Sequence, residues 1–403
     1  MISRRAVLQS VASVAAAFGS GAWLARASNA PGVTETEIKI GQTMAYSGPV
    51  SAYGVYGKTD AAYFEMINES GGVNGRKLRL ISFDDEYNPP KTYEQTRRLV
   101  EREGVAFIFN SLGTWTNGVI RAYLNVNQIP HLFVASGAEM FADPERFPWT
   151  VGWQPSYQTE AAIFGNHIVA TNPSAKIGVL YQDDGFGRDY MLGLKKGLGR
   201  THEQMIVEAT PYESWETNVQ SQVATLHKAG ADTFVIVAAQ DLAERAINNA
   251  FDLGWSPARY LTGVSQSISS TMTSAGRAKL KGAITGVYDK DPTDPRWHDD
   301  VGFKRYAEFV TKYMPQFDLH DAKIVTGFGV AETMVHVLTQ CGADLSRENI
   351  LRQSTNIKDL ELPMLLPGVK INISPSDYHP IREMRLALFN GTSWKAFGDL
   401  LGN

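Results

Sequence analysis

Short apolar runs alternate with amphipathic segments of helical periodicity through the first third of this chain. The apolar runs are residues 38–45, 77–83, 105–109 and 130–134, and the helical segments between them are residues 52–69, 88–103 and 117–127. A strand, a helix and a second strand in succession favour a right-handed βαβ unit. The pattern therefore predicts a parallel sheet with helices on both faces.

The same alternation starts again after residue 155. Strands are predicted at 176–181, 206–212, 233–237 and 259–262, and helices at 156–171, 188–198, 217–229 and 241–253. At 403 residues the chain is also too long for one typical core. We expect an α/β protein with two doubly wound parallel-sheet lobes and a cleft between them, where ligands bind beyond the carboxyl ends of the strands.

The pattern becomes less regular after about residue 286. Helices are predicted at 303–314, 322–338 and 347–353, and strands at 385–389 and 393–397. Asn390-Gly391 lies between the last two strands and is a strong hairpin signal.

The amino-terminal segment has the features of an export signal. Arg4-Arg5 precedes an Ala-rich apolar stretch that ends at Leu24, and Ala25-Arg26-Ala27 has the small-x-small form of a cleavage site. Residues 1–27 are therefore predicted to be a signal peptide of the twin-arginine type. A Sec signal and an uncleaved anchor are the alternatives.

Cysteine usage agrees with export to a bacterial periplasm. Cys341 is the only cysteine, so the chain forms no internal disulfide, and it lies too far along the chain to carry a lipoprotein's lipid. No second apolar run near 18 residues follows Leu24. The mature protein is expected to be soluble in a Gram-negative periplasm.

Several functional classes lack their sequence signals here. The formal net charge is −4, and no basic run outside the amino terminus suits a nucleic-acid surface. The eight histidines show no metal-ligand spacing, and neither a phosphate-binding loop nor a nucleophile elbow is present. We therefore expect no nucleic-acid partner, metal or cofactor, and no enzymatic activity.

The segment LGTWTNG, residues 112–118, follows a predicted strand and precedes a predicted helix. As an isolated string it is typical of a capped helix start with a packed tryptophan. Its hydroxyls and free backbone amides would also suit an anion, and its indole would suit a flat apolar group.

Several motifs, taken in order, resemble those of a known transport family. They are Tyr46-Ser47-Gly48-Pro49, the segment 67–76, Asp84-Asp85, the segment 181–187, the loop at 112–118, and Asn390-Gly391 with Trp394. From about residue 35 onward the chain resembles the branched-chain amino-acid binding proteins of bacterial ABC importers, which are type I periplasmic binding proteins.

This resemblance implies a receptor whose two lobes, joined by a hinge, close around one small ligand. It places residues 31–153 and 287–380 in the first lobe and residues 154–286 and 381–403 in the second. It further implies a membrane permease of the ABC type as partner, and a monomer is expected.

The resemblance also implies where a ligand carboxylate is held. Thr114, with its hydroxyl and amide, and the amide of Trp115 match one loop of the family's grip. The second loop matches Ala135, Ser136 and Gly137.

The family's amino-acid binders hold the ligand ammonium with an acidic residue in a loop that matches residues 263–267. That loop, Gly-Val-Ser-Gln-Ser, contains no acid here. An unpaired ammonium in a closed cleft is costly. The difference argues against an α-amino acid, unless Asp183, Asp184 or Asp241 reaches the cleft.

Aromatic residues stand at the loops expected to face the cleft: Tyr53, Trp115, Trp153, Tyr157 and Phe186. Packing in the hinge is the alternative for Trp153 and Tyr157. Gln240 and Ser265 could contact a distal hydroxyl or carbonyl. Aromatic walls favour a small carboxylic acid without a basic nitrogen, with an aromatic acid as the leading case.

Three other functions stay open at this point. The chain could be a receptor for a branched-chain amino acid, urea or a short amide. It could be a ligand-sensing module for a periplasmic signalling partner, or an enzyme built on the same wound fold.

Overall fold

The computed structural model describes residues 30–271 and 273–402. The predicted signal peptide, residues 1–27, lies outside the described residues. Over the ranges that the structure describes, no helix is both long and apolar enough to cross a membrane.

The first sheet is entirely parallel and is formed by residues 37–152. Its strands are β1 (Glu37–Met44), β2 (Lys77–Asp84), β3 (Phe107–Phe109), β4 (His131–Val134) and β5 (Thr150–Gly152). They are arranged in the order β2-β1-β3-β4-β5. The helices that connect them are α1 (Val55–Glu69), α2 (Pro89–Arg98) and α3 (Thr114–Val126).

The second sheet combines a parallel part with an antiparallel edge. Its strands in the middle of the chain are β6 (Ile177–Gln182), β7 (Ile206–Tyr212), β8 (Thr233–Val237), β9 (Ala258–Leu261) and β10 (Ile284–Val287). The associated helices are α4 (Tyr157–Thr171), α5 (Gly185–Leu198), α6 (His202–Met205), α7 (Gln220–Lys228), α8 (Gln240–Asp252), α9 (Ile268–Thr271) and α10 (Ser274–Leu280).

After β10 the chain leaves the second sheet and later returns to it. The elements of this excursion are α11 (Val301–Tyr313), α12 (Ala322–Cys341), α13 (Arg347–Ser354), β11 (Ile357–Leu360) and β12 (Ile371–Ile373). Helix α12 packs against α1, with Tyr63 and Phe328 in edge-to-face contact at 5.1 Å between ring centroids. The excursion therefore completes the layer that covers the first sheet.

The carboxyl terminus closes the second sheet as a hairpin of β13 (Glu383–Phe389) and β14 (Trp394–Gly402). The strand order is β14-β13-β10-β9-β8-β6-β7, and β13 pairs antiparallel with both of its neighbours. Gly391 has φ +108°, and the side chain of Asn390 accepts the amides of Thr392 and Ser393 at 2.8 and 2.9 Å. The predicted hairpin turn is present.

The prediction of two wound α/β sheets is confirmed. Strands β5, β10, β11 and β12 were not predicted, because each is only three or four residues long and lacks the continuous apolar run that marks the equally short β3. The predicted lobe boundaries remain a prediction; the sheets themselves draw their strands from residues 37–152 and from residues 177–287 with 383–402.

Candidate ligand-binding cleft

A cavity lies where the carboxyl ends of the two sheets face each other, and its empty space of about 450 Å³ includes the part that is open to solvent. It is bounded by loops that follow β1, β2, β3 and β4 on one side and β6, β8 and β9 on the other. Its lining is largely apolar and aromatic: Val50, Tyr53, Tyr56, Tyr87, Leu112, Gly113, Thr114, Ala135, Gln154, Tyr157, Gln182, Phe186, Ala239 and Val264. None of these described residues carries a charge.

One end of the cavity is formed by the start of α3. The helix begins at Thr114, three residues earlier than the sequence predicts, and no side chain caps its amino terminus. The first amides of a helix have no acceptor within the helix, and its dipole favours an anion there. The loop at 112–118 is thus a helix start after all, but one whose amides are left open beside the cavity.

Two hydroxyls extend this set of donors. Thr114 Oγ1 and Ser136 Oγ lie 2.7 Å apart and share a hydrogen bond, and both are buried. They come from the ends of neighbouring parallel strands, β3 and β4, whose carboxyl ends meet at one sheet edge. Hydroxyls and open amides at one place can together bind a carboxylate.

Glycine is required at position 113 for this arrangement. Its φ of +101° suits glycine, and a Cβ would stand 2.3 Å from the ring of Tyr87. The side chain of Asn117 donates to the carbonyls of Ser111 and Gly113 at 2.9 and 2.7 Å, which turns the chain into the helix.

Gly137 brings the second lobe close to this end of the cavity. The amide of Tyr157 donates to the Gly137 carbonyl at 2.9 Å, and a Cβ on Gly137 would stand 2.2 Å from the carbonyl oxygen of Pro155. Burial raises the pKa of Tyr157 to about 12, although its hydroxyl is hydrogen-bonded by Ser136 and the Gly137 amide. The predicted residues Ala135, Ser136, Gly137 and Tyr157 are therefore brought together with Thr114.

An aromatic wall covers the side of the cavity that belongs to the second sheet. The ring of Tyr157 lies 5.0 Å from that of Phe186 and 5.3 Å from that of Tyr190. Opposite them, the rings of Tyr53 and Tyr56 lie 5.8 Å apart. Such walls are typical of sites for flat or apolar small molecules.

Sequence reasoning missed several lining residues, notably Tyr56, Tyr87, Gln154 and Gln182. Tyr56 lies three residues after Tyr53, so helical spacing could have indicated it. Tyr87 has φ +57°, and the buried carboxylate of Asp85 accepts its amide at 3.0 Å. No local pattern shows that this turn aims a ring at the cavity.

None of the three aspartates considered as partners for a ligand ammonium, Asp183, Asp184 and Asp241, lines the cavity. Asp184 caps α5 by accepting the backbone amide of Phe186 at 2.8 Å, and it also accepts a hydrogen bond from the side-chain Nε2 of Gln182 at 2.8 Å. Asp183 lies on the surface beside Arg188, and Asp241 is exposed. Asp184 thus lies outside the cavity lining, and its hydrogen bonds hold the start of α5 and the side chain of Gln182 in position.

Two predicted tryptophans lie outside the cavity lining. The indole of Trp115 is 40% exposed and contacts that of Trp215, with 6.1 Å between ring centroids. Trp153 is buried in the hydrophobic core and donates its Nε1 hydrogen to Thr333 Oγ1 at 3.0 Å. Trp115 therefore lies at the rim, and Trp153 packs in the hydrophobic core.

Ser265 and Gln240 were predicted to contact a distal hydroxyl or carbonyl of the ligand, and the structure does not place Ser265 in the cavity lining. The hydroxyl of Ser265 is buried and donates to the carbonyl of Ala238 at 2.6 Å, so it ties two loops together. Its neighbour Val264 lines the cavity instead. The side chain of Gln240 lies outside the described part of the structure.

Contacts across the cleft hold the two sheets together at this site. The hydroxyl of Tyr53 donates to the carbonyl of Val264 at 2.8 Å, and that of Ser267 donates to Asp321 Oδ1 at 2.6 Å. The amide of Glu139 donates to Asp189 Oδ2 at 2.9 Å. The structure therefore shows the cleft in a closed arrangement.

Comparisons with known proteins agree with this architecture. A family model described as periplasmic binding protein matches residues 37–393. The Leu/Ile/Val-binding protein homolog 1 of Brucella abortus is 23% identical over 342 residues, which cover 82% of this chain and 83% of that protein.

Solved structures show the same fold. A substrate-binding periplasmic protein from Ralstonia solanacearum has a TM-score of 0.79 at 19% identity, covering 91% of this chain and 100% of that one. A branched-chain amino acid ABC transporter protein from Thermus thermophilus, with bound valine, has a TM-score of 0.79 at 17% identity, covering 92% and 98%. At these identities the likeness concerns the fold.

Proposed function

Because the chain belongs to the periplasmic binding protein family, we propose that it is the solute receptor of an ABC importer. It captures a small carboxylic acid between its two lobes and delivers it to the membrane permease. The observation that carries this proposal is an uncharged, aromatic-lined cavity with open helix amides and the Thr114 hydroxyl, which is paired with that of Ser136, at one end.

The donors at that end support a carboxylate. In the Thr114–Ser136 pair one hydroxyl donates to the other, which leaves the second hydroxyl hydrogen for an anion, and the start of α3 adds its open amides. Hydrogen bonds to a charged group contribute about 1.5 to 3 kcal/mol each, so a few of them offset much of the cost of desolvating a carboxylate. No buried cation is needed.

The rest of the cavity supports an aromatic body without a basic nitrogen. Tyr157 and Phe186 present ring faces and edges on one side, and Tyr53 and Tyr56 on the other. An ammonium placed among them would find no carboxylate in the described lining. An aromatic acid, such as a benzoate or a phenylpropenoate, fits this environment best.

The mechanism we propose is a shift of population toward the closed form. A ligand held by α3 on one side and by Phe186 on the other stabilises closure, whereas a ligand touching one lobe alone would not. The permease recognises the closed form. The family and the signal-like amino terminus support a periplasmic location, and we propose a binding protein rather than an enzyme.

A thermal-shift screen tests the ligand class directly. The protein is melted with benzoate, cinnamate and 3-phenylpropanoate, and in parallel with leucine, valine, urea and acetamide. A ligand at 100 times its Kd stabilises the folded protein by about 2.7 kcal/mol, so an aromatic acid should raise the Tm measurably. A shift with leucine or valine and none with the aromatic acids would replace our proposal with a branched-chain amino-acid receptor.

The closed arrangement makes a separate prediction for Tyr53. Tyr53→Phe removes the hydroxyl that reaches Val264 across the cleft, so the closed form loses one bond that the open form does not make. We expect the Kd for the best aromatic acid of the screen to rise about three- to tenfold by calorimetry. Tyr56→Phe, which leaves the Val264 bond in place, is the matched control; equal effects of the two variants would show that the bond is irrelevant to closure.

A further inference from the structure

A second cavity adjoins the first, and its empty space of about 400 Å³ includes the part that is open to solvent. The two cavities share Tyr56, Gln154, Tyr157 and Val264 in their linings. The second is more polar, since Glu160, Gln266 and Thr326 also contribute to its wall. A ligand held at the start of α3 therefore has room to extend toward this space.

Gln266 lines this second cavity, and its side chain carries an acceptor that has no partner. Its side chain is more than nine-tenths buried, and its Nε2 donates to Asp289 Oδ1 at 3.3 Å. Its Oε1 is buried and has no hydrogen-bond partner. Among the described residues that line either cavity, no other has a buried side-chain polar atom in this state.

The backbone around Gln266 holds this side chain in place. The indole nitrogen of Trp394 donates to the Gln266 carbonyl at 2.8 Å, and the Gln266 amide donates to the Gly263 carbonyl at 3.2 Å. A buried carbonyl oxygen without a partner costs free energy, and native proteins seldom keep one without a reason. A group that enters the cavity with a donor would remove that cost.

The neighbouring carboxyl groups are already satisfied. Glu160 accepts the amide of Gly263 at 2.8 Å and the hydroxyl of Tyr190, and Asp289 accepts from Gln266 and from Thr326. Burial raises the pKa of both Glu160 and Asp289 to about 7, so near neutral pH each is partly protonated. A neutral donor needs no counter-charge, so it can enter this cavity whether or not the two carboxyl groups are ionised.

We propose that Gln266 is a specificity-determining residue that accepts a hydrogen bond from a neutral donor at the end of the ligand opposite its carboxylate. This inference rests on the proposed function and narrows it: the preferred ligand is a hydroxylated aromatic acid, with its hydroxyl in the second cavity. An acid that ends in a hydrogen atom or an ether leaves Gln266 Oε1 unpaired, and is bound less tightly.

The test compares acids that differ only in the distal donor. Kd values are measured by calorimetry for 3-(4-hydroxyphenyl)propanoate against 3-phenylpropanoate, and for 4-hydroxybenzoate against benzoate. We expect the hydroxylated member of at least one pair to bind about tenfold more tightly to the wild-type protein. In Gln266→Met, which keeps the length of the side chain without its acceptor, the preference should fall to about one.

The outcomes separate this inference from the proposed function. If the acids bind but hydroxylation gives no preference, water satisfies Gln266 and the inference fails while the receptor function stands. If Gln266→Met still prefers the hydroxylated acid, another residue accepts the hydrogen bond from the ligand hydroxyl, and the inference is again overturned. If only leucine or valine binds, or nothing in the panel does, both proposals fail.

If Gln266→Met does not fold, the Kd values of the hydroxylated and non-hydroxylated acids for the wild-type protein still test the inference. The ligand-free Tm of the variant reports on folding. Gln154→Met provides a matched control, because Gln154 lines both cavities and is not among the residues with a buried unpartnered atom. We expect it to retain the preference for the hydroxylated acid.

Discussion

Trp153→Ala is expected to lower the free energy of unfolding by about 3 to 5 kcal/mol, the range for removing a large aromatic side chain from a core. The indole is 1% exposed, donates to Thr333 at 3.0 Å, and lies 6.2 Å from the ring of Tyr288 between centroids. A cavity would remain, and Thr333 would lose the donor that its oxygen accepts, although its own hydroxyl hydrogen still goes to the carbonyl of Gly329. Denaturant titration of the ligand-free protein measures the loss.

Trp115→Ala is the matched control for this variant, because it removes the same side chain from the rim. With 40% of Trp115 exposed, we expect the free energy of unfolding to change by no more than about 1 kcal/mol. Trp153→Phe should fall between wild type and Trp153→Ala and should keep the Kd for the aromatic acid. A stable Trp153→Ala protein that no longer binds would instead place Trp153 in the ligand site.

The second large effect concerns the carboxylate end of the cavity. Thr114→Val keeps the shape of the side chain and removes the hydroxyl that faces Ser136, so it removes a donor from the anion. We expect the affinity for an aromatic acid to fall by about 1 to 3 kcal/mol, which corresponds to a rise in Kd of roughly five- to 150-fold. Calorimetry with 3-phenylpropanoate or benzoate measures it.

Thr116→Val is the matched control on the same helix turn. The Thr116 hydroxyl donates to the carbonyl of Leu112 and does not line the cavity. Loss of the Thr116 hydroxyl should lower the free energy of unfolding by more than it weakens the binding free energy for the acid. If Thr114→Val binds the acid as wild type does, or if Thr116→Val loses as much affinity, the start of α3 is not the carboxylate site.

Local pattern predicted much of this fold, because strands and helices have different periods that a sequence shows directly. The helix predicted at residues 156–171 begins at Tyr157, as the side chain of Ser156 accepts the amide of Thr159. The strand Phe107–Phe109 was predicted because it lies within the apolar run 105–109. The equally short Thr150–Gly152 has no such run around it, and only its pairing with β4 identifies it as a strand.

The candidate site was predictable to the extent that it follows the ends of strands. Thr114 and Ser136 follow β3 and β4, and parallel strands bring such ends together. Gln182 and Tyr87 escaped prediction because their roles depend on partners distant in sequence. Trp153 was predicted to contact the ligand, but it lies in the core. A tryptophan near a crossing between lobes has the same sequence context whether it packs in the core or contacts a ligand.

By itself the sequence determined the two wound sheets, the hairpin at Asn390-Gly391 and the position of Thr114 at a strand's end, because each depends on residues close together in the chain. The tertiary structure alone decided which aromatic rings face the cavity, that Asp184 lies outside the cavity lining, and that Gln266, which lines the second cavity, keeps an unpaired oxygen. These features depend on the packing of loops from both lobes, and side-chain direction there is set by contacts that no local periodicity encodes.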